Sequence, residues 1–114
     1  MIRRFIGYLR RIQGRPTQKM TRVYTDLTDC VYLHEGDSLC IWPVVEGFGV
    51  FAAVLRDGQC QTWPLYNCAD LREAYDLRCV LDKHITLGAR RCDARASLRR
   101  ERESQMHAHQ EVAF

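Results

Sequence analysis

Four arginines towards the C-terminal end of the chain recur at a spacing that would place them on one side of a helix. At 100° per residue, their side chains fall within a stripe of about 80°. This arginine stripe comprises Arg91, Arg95, Arg99 and Arg102. Guanidinium groups present planar forks of donors that match phosphate or carboxylate oxygens. The spacing therefore indicates a site for such anions, and the alternative is a solvated helix on which these arginines pair with Glu101 and Glu103.

A second basic cluster lies in residues 2–12, where four arginines occur without any acidic residue. These are Arg3, Arg4, Arg10 and Arg11. Apolar residues recur between them at helical spacing, which predicts an amphipathic helix. Its apolar stripe comprises Ile2, Phe5, Ile6, Leu9 and Ile12. Gly14 and Pro16 are expected to end this helix, and Met20 is an alternative start of the chain.

Four roles fit this N-terminal segment. In the first, its apolar stripe inserts into an anionic membrane surface. In the second, it is a targeting signal of the mitochondrial type, although such signals are normally serine-rich and this segment has no serine. In the third, the stripe docks on a partner or on the protein's own sheet while the arginines face nucleic acid. In the fourth, the helix simply covers the core.

Charge is distributed unevenly along the chain. The net charge of +3 combines +6 in residues 1–19, near −5 in residues 20–88 and near +2 in residues 89–114. A candidate acidic surface in the middle segment comprises Glu35, Asp37, Glu46 and Asp57. Such segregation bears on the choice of partner, because it directs the middle segment towards basic surfaces and the ends towards acidic ones.

The other residue types form no pattern that identifies a reaction. The six cysteines include no C-x-x-C pair, and the combinations weighed, Cys79 with His84 and Cys40 with Cys60, lack the tight spacing of a zinc site. No glycine-rich phosphate loop and no local Cys–His signature occur. We therefore predict that the protein is not an enzyme and has no metal site or cofactor. Several of its cysteines are expected to be small buried hydrophobic residues, and its aromatic residues are expected mainly in the core.

The elements that would position these residues form a small α+β fold. An antiparallel β-meander of three to four strands is predicted, with a strong hairpin signal at Asp57-Gly58. The candidate strands cover residues 30–34, 39–45, 48–55 and 59–65. The apolar run over residues 48–55 is typical of a central, well-covered strand.

One helix is predicted to pack on this meander, over about residues 69–85, with Asn67 as its N-cap and Gly88 at its end. A polar helix beyond it carries the arginine stripe. The chain is therefore predicted to have three segments. They are the basic helix and linker over residues 1–20, the compact unit over residues 21–88, and the arginine-rich helix and tail over residues 89–114.

These features favour a small non-enzymatic interaction protein with a protein partner. A phage or mobile-element accessory factor that inhibits a host nucleic-acid-handling complex is one such protein, because these complexes present large basic channels. Nucleic-acid binding through the arginine-rich terminal helices is one alternative, and attachment to a membrane surface or organelle through residues 2–12 is another. Without an apolar run of about 20 residues or a secretory signal, a reducing, cytoplasmic location is expected.

Overall fold

A computed structural model describes residues 20–112 of the chain. The elements in chain order are β1 (Thr21–Tyr24), β2 (Val31–Leu33), β3 (Ser38–Val44), β4 (Gly47–Arg56), β5 (Gln59–Cys68), α1 (Leu71–Thr86), β6 (Arg91–Asp93) and α2 (Ala94–Val112). The fold class is α+β, as predicted, but the described strands form two three-stranded sheets instead of one. The predicted helix over residues 2–12 lies outside the described residues, and so do Arg3, Arg4, Arg10 and Arg11.

The larger sheet is an antiparallel meander in the order β3-β4-β5, which confirms the prediction for these three strands. Asp57 and Gly58 form the turn between β4 and β5 with φ angles of 53° and 77°, as the hairpin signal predicted. Pro43 has no backbone donor and lies on β3, which is an edge strand of this sheet. The long, apolar β4 pairs on both sides and is the central strand.

The smaller sheet has the order β2-β1-β6 and was not predicted as a separate sheet. The candidate strand over residues 30–34 matches β2, but it pairs with β1 and does not belong to the meander as predicted. β1 pairs antiparallel with β2 and parallel with β6, so segments from both ends of the described chain meet here. Arg22 stands opposite Tyr32 on one side and opposite Arg91 on the other. These strands have only three or four residues each, which is too short for a readable alternation of apolar and polar residues.

Helix α1 is capped by a different residue from the one that the sequence indicates. The N-cap is Asp70, whose side chain accepts a hydrogen bond from the Glu73 backbone N–H at 2.8 Å. The predicted N-cap, Asn67, still belongs to β5, because that strand continues to Cys68. Gly88, with a φ of 69°, ends the helix as predicted.

Within residues 20–112, the buried side chains form one cluster drawn from the two sheets and from α1 and α2. The meander contributes the face that carries Val50, Ala52 and Val54, and α1 contributes Leu77 and Leu81. All five side chains are at most 1% exposed. Since successive residues of a strand point to opposite sides, these positions show that one face of β4 is fully covered. On the same side of the sheet, Gln61 and Trp63 of β5 remain exposed.

The C-terminal segment is not the separate helix that the sequence predicts. Residues 91–93 form β6, and α2 starts only at Ala94. Cys92, Ala94 and Leu98 are buried in the core cluster. The folded unit therefore continues past residue 88, because the chain beyond it supplies a strand of the smaller sheet and a buried helical turn.

Candidate interaction surfaces

The second face of the meander is apolar, and no described element covers it. The register places Phe51 opposite Cys40 on β3 and opposite Pro64 on β5, so alternate residues of the three strands share this face. It comprises Ser38, Cys40, Trp42, Val44, Gly49, Phe51, Ala53, Leu55, Cys60, Thr62, Pro64 and Asn67. We call this surface the uncovered face. None of its residues is charged.

Large apolar side chains on the uncovered face are open to solvent. Trp42 is 59% exposed and Leu55 is 68% exposed, while Phe51 is half-buried. The Phe51 ring lies over Gly49, where a Cβ atom would come within 2.6 Å of Phe51 Cε2. The solvent side of an antiparallel sheet normally carries polar side chains. A contiguous apolar surface in that position is typical of an interaction site.

The predicted acidic surface is divided between the two ends of the meander. Glu35 and Asp57 lie in turns at one end, and Glu46 lies in the turn between β3 and β4 at the other end. The fourth acid, Asp37, forms an ion pair with Arg56 at 3.3 Å and its side chain is only 9% exposed. The three exposed acids therefore flank the uncovered face at both ends, and we call them the acidic rim.

The arginine stripe is broken up in the structure. Arg91 lies on β6, outside α2. Arg102 pairs with Asp76 of α1, with 3.1 Å between Nη2 and Oδ2. Arg99 is exposed, whereas Arg95 is engaged by other parts of the fold. The four guanidinium groups therefore do not form one continuous surface for an anion.

Arg95 holds α2 against the rest of the fold. Its Nε donates to Asp26 Oδ2 at 2.5 Å and its Nη1 donates to Glu73 Oε1 at 2.6 Å. Its Nη2 donates to the backbone carbonyl of Asn67, and its guanidinium carbon lies 5.7 Å from the centre of the Tyr66 ring. Burial opposes the charge of Arg95, but its hydrogen bonds with Asp26 and Glu73 outweigh this effect and raise its pKa. The Arg95 guanidinium is thus already hydrogen-bonded to acceptors of its own chain.

Tyr66 joins the same network from the core. Its hydroxyl donates to the Tyr24 carbonyl and accepts a hydrogen bond from the Ala94 N–H at 3.3 Å. Burial raises the pKa of the phenol well above its ordinary value of 10, so the hydroxyl stays protonated and keeps its donor. The ring therefore links β5 to β1 and to the first residue of α2.

A groove of about 490 Å³ lies beside this network, and its charges are mixed. Four acids and three arginines line it, among them Asp93, Arg99 and Glu103. Residues 20–114 together carry a net charge of −3, because six of the basic residues fall in residues 1–19. A polyanion requires a surplus of basic side chains, and this groove offers none.

The outer side of the smaller sheet holds Arg91 in a local arginine–tyrosine cluster. Arg91 stands beside Arg22, whose guanidinium carbon lies 5.5 Å and 5.9 Å from the ring centres of Tyr24 and Tyr32. Asp93 stands beside Tyr24 on the same side of the sheet and offsets part of the positive charge. The cluster is small, and cation–π contacts already engage Arg22.

The six cysteines are free thiols and do not come together. Cys68 and Cys92 are buried, and burial raises their pKa values to about 11 and about 12. Cys40 and Cys60 lie on the two edge strands of the meander with β4 between them, so they are not neighbours across the sheet. Within residues 20–112, no group of three or more His, Cys, Asp or Glu side chains is arranged to hold a metal ion.

Several aromatic residues lie at the surface, which corrects the prediction that they belong mainly to the core. Trp42 is exposed on the uncovered face, Trp63 is 40% exposed and Tyr75 is 45% exposed. Tyr66 is buried and Phe48 packs against the core cluster, as predicted. Both tryptophans of the chain are therefore available to a partner.

None of the helices described within residues 20–112 combines the length and apolar composition needed to cross a membrane. The function of the protein is inferred from the surfaces described above, since a fold alone does not determine a function. No protein-family model, curated protein or solved structure matches this chain.

Proposed function

We propose that this chain is a non-enzymatic interaction protein that binds a protein partner through the uncovered face. The observation that carries the proposal is the charge-free apolar surface of the meander, with Trp42 and Leu55 mostly exposed. The centres of protein interfaces are depleted of charge and enriched in aromatic side chains. Exposed tryptophans are also frequent hot spots of binding energy.

The dimensions of the uncovered face indicate how a partner would engage it. Three strands about 4.8 Å apart and a ten-residue central strand give a surface of roughly 14 by 33 Å. This is smaller than the ~800 Å² that a standard interface buries on each partner. The acidic rim would complete the contact, so the partner is expected to carry an apolar patch flanked by basic residues.

The narrower form of this proposal is inhibition of a nucleic-acid-handling complex by a phage or mobile-element factor. In that form, the acidic rim would meet the basic channel of the complex, while the uncovered face supplies apolar contact area. The rim comprises Glu35, Glu46 and Asp57. The negative charge of residues 20–114 supports a basic partner in preference to direct binding of nucleic acid.

The test compares partner binding by two double variants of the full chain, after affinity purification from the native cell. Trp42→Ser with Leu55→Ser changes the uncovered face, and Tyr75→Ser with Leu87→Ser changes exposed apolar residues elsewhere. The first pair should weaken binding about thirty-fold or more, which corresponds to loss of a hot spot of about 2 kcal/mol. The second pair should bind as the wild type does.

Equal affinity of the wild type and the Trp42→Ser/Leu55→Ser variant for every purified partner would overturn the proposal. Direct binding to nucleic acid with a steep salt dependence, unchanged in this variant, would also contradict it. Far-ultraviolet circular dichroism would verify that both double variants keep the fold, since all four side chains are exposed.

A further inference from the structure

We infer that a small cleft between the two sheets binds one aromatic side chain of the protein partner. This inference rests on the proposed function and adds a second contact site to the uncovered face. The cleft has a volume of about 240 Å³ and lies between β2 of the smaller sheet and strands β4 and β5 of the meander. Its lining includes Tyr32, Val54, Arg56, Gln61 and Trp63. We call it the intersheet cleft.

The lengths of the strands explain why the intersheet cleft is open. β2 has three residues and β5 has ten, so the smaller sheet covers only part of the core side of the meander. Val54 of β4 is 1% exposed on that side, whereas Trp63 of the neighbouring β5 is 40% exposed. Aromatic surface is therefore left accessible at the point where the core ends.

The chemistry of the lining favours an uncharged aromatic ring. Tyr32 and Trp63 both border the cleft and are both exposed. The Arg56 guanidinium is held in place, because it pairs with Asp37 at 3.3 Å and its Nη1 donates to the Leu55 carbonyl at 3.1 Å. Asp37 offsets the charge of Arg56, which disfavours a phosphate. The planar face of a fixed guanidinium still stacks well on an aromatic ring.

The amide of Gln61 extends the choice of ring to those with a polar edge. This side chain is exposed and lines the cleft beside Trp63. An amide both donates and accepts hydrogen bonds, so it can pair with a tyrosine hydroxyl or a tryptophan indole N–H. Such residues bury an apolar ring and need a partner for their polar group.

The volume of the cleft favours a side chain over a free small molecule. Sites for drug-sized ligands have volumes of about 300–1,000 Å³ and bury most of the ligand. The intersheet cleft is smaller and suits a single ring that a larger partner holds in place. Pockets filled by one tryptophan or tyrosine are frequent hot spots of protein interfaces.

The intersheet cleft and the uncovered face adjoin along β5. Gln61 and Trp63 lie on the core side of this strand, whereas Cys60 and Thr62 belong to the uncovered face. Because β5 is an edge strand of the meander, a partner segment that passes around this edge would reach both surfaces. The cleft would thus enlarge a contact that is smaller than a standard interface when the uncovered face acts alone.

The two tryptophans of the chain report on the two surfaces separately. Trp63 lines the cleft and Trp42 lies on the uncovered face, and the sequence contains no other tryptophan. Their indole N–H groups give separate signals in a proton–nitrogen correlation spectrum of the isotopically labelled full chain, and Trp63→Phe assigns them. The probe is p-cresol, the side-chain analogue of tyrosine, and adenosine is titrated in parallel.

The Trp63 signal should shift saturably with p-cresol, with a Kd of about 5 mM, while the Trp42 signal stays unchanged. Gln61→Phe fills the cleft and should weaken p-cresol binding about fivefold or more. Gln59→Phe makes the same substitution at an exposed position of β5 outside the cleft and should bind as the wild type does.

An unshifted Trp63 signal, or equal p-cresol affinity in Gln61→Phe and the wild type, would overturn the inference. Tighter binding of adenosine than of p-cresol would overturn it too, because the cleft would then be a nucleoside site. A Trp63 signal that shifts with protein concentration alone would identify a second copy of the chain as the occupant and contradict a separate protein partner.

Partner binding separates this inference from the proposed function. Gln61→Phe should weaken partner binding about tenfold or more, and Gln59→Phe should not weaken it. If Gln61→Phe binds the partner as the wild type does while Trp42→Ser/Leu55→Ser loses it, the inference fails and the proposed function stands. If Gln61→Phe loses the partner while Trp42→Ser/Leu55→Ser keeps it, the cleft binds the partner and the proposed function of the uncovered face fails.

Discussion

The two faces of β4 are both apolar, yet they meet very different surroundings within the described residues. Val50, Ala52 and Val54 point into the core and are at most 1% exposed. Leu55, which alternates with them, is 68% exposed, and Phe51 is half-buried over Gly49. Composition alone does not distinguish these faces. What differs is that α1 and the smaller sheet pack on one of them only.

This difference separates residues that stabilise the fold from residues available for binding. Apolar side chains on the covered face contribute to folding, because their burial removes surface from water. Apolar side chains on the uncovered face gain little from folding and favour association instead. Four predictions test this separation, from the largest expected effect to the smallest.

Truncation on the covered side should be much more destabilising than truncation on the uncovered face. Leu77→Ala, at a position with no exposure, is expected to lower the free energy of unfolding by about 3 kcal/mol, because it leaves a cavity under α1. Leu55→Ala should cost about 1 kcal/mol or less. Urea denaturation of both variants measures the two losses. Similar losses would show that Leu55 is as firmly packed as Leu77.

The network around Arg95 should account for much of the attachment of α2 to the covered side. Arg95→Met is expected to cost about 2 kcal/mol, because it leaves Asp26, Glu73 and the Asn67 carbonyl without their donor. Arg99→Met, on the same helix but exposed, should change stability by at most ~0.5 kcal/mol. Thermal unfolding provides the comparison. If the two variants unfold at the same temperature, the network contributes nothing to stability.

The covered side should also make the protein sensitive to alkaline pH. Burial raises the pKa of Cys68 to about 11 and that of Cys92 to about 12, from ordinary values of 9. Between pH 9 and 10 the unfolded thiols ionise while the folded ones stay largely neutral, so the free energy of unfolding falls as pH rises. Each thiol should contribute roughly 1 kcal/mol of this loss by pH 10.

Denaturant titrations at pH 8, 9 and 10 measure this dependence on pH. In Cys92→Ala the free energy of unfolding should fall less steeply as pH rises, because the variant removes one of the two buried thiols. Cys79→Ala changes an exposed thiol and is expected to leave the pH dependence unaltered. An identical pH dependence in Cys92→Ala and the wild type would contradict the role assigned to the buried thiol.

The smallest effect is expected at Gly49. A Cβ atom there would meet the Phe51 ring at 2.6 Å and Val44 Cγ1 at 3.2 Å. Because both contacts are side chains on the uncovered face, Gly49→Ala should change the free energy of unfolding by less than about 1 kcal/mol, with the ring moving outwards. A loss as large as that of Leu77→Ala would mean that Phe51 is held in place from outside.

The sequence predicts the meander well because its signals are local. Asp57-Gly58 specifies a tight hairpin, and the strands on either side are long enough to show their pattern. The sequence carries no comparable signal for the pairing of β1 with β6. Both strands are short, and they pair with each other although most of the chain lies between them. The α+β class was therefore predictable, whereas the number of sheets was not.

The candidate sites were less predictable, because their partners are remote in sequence. Helical spacing grouped Arg95 with Arg91, but Asp26 and Glu73, which bind Arg95, lie in a loop and in α1. The uncovered face did leave one signal. Alternation sets Trp42 on the side of β3 opposite to Ile41, so a tryptophan had to lie on the side away from the helix.

The parallel pairing of β1 with β6 also has a consequence for the order of folding. Arg22 and Arg91 are separated by about 70 residues, so this pairing closes a long loop and carries a high entropic cost. The hairpins of the meander are local and can form while the chain is still being synthesised. The smaller sheet must wait until β6 has left the ribosome. A nascent chain arrested before residue 91 would therefore lack β6 and the buried start of α2, so that the core side of the meander is incompletely covered, and this intermediate is where a chaperone is expected to bind.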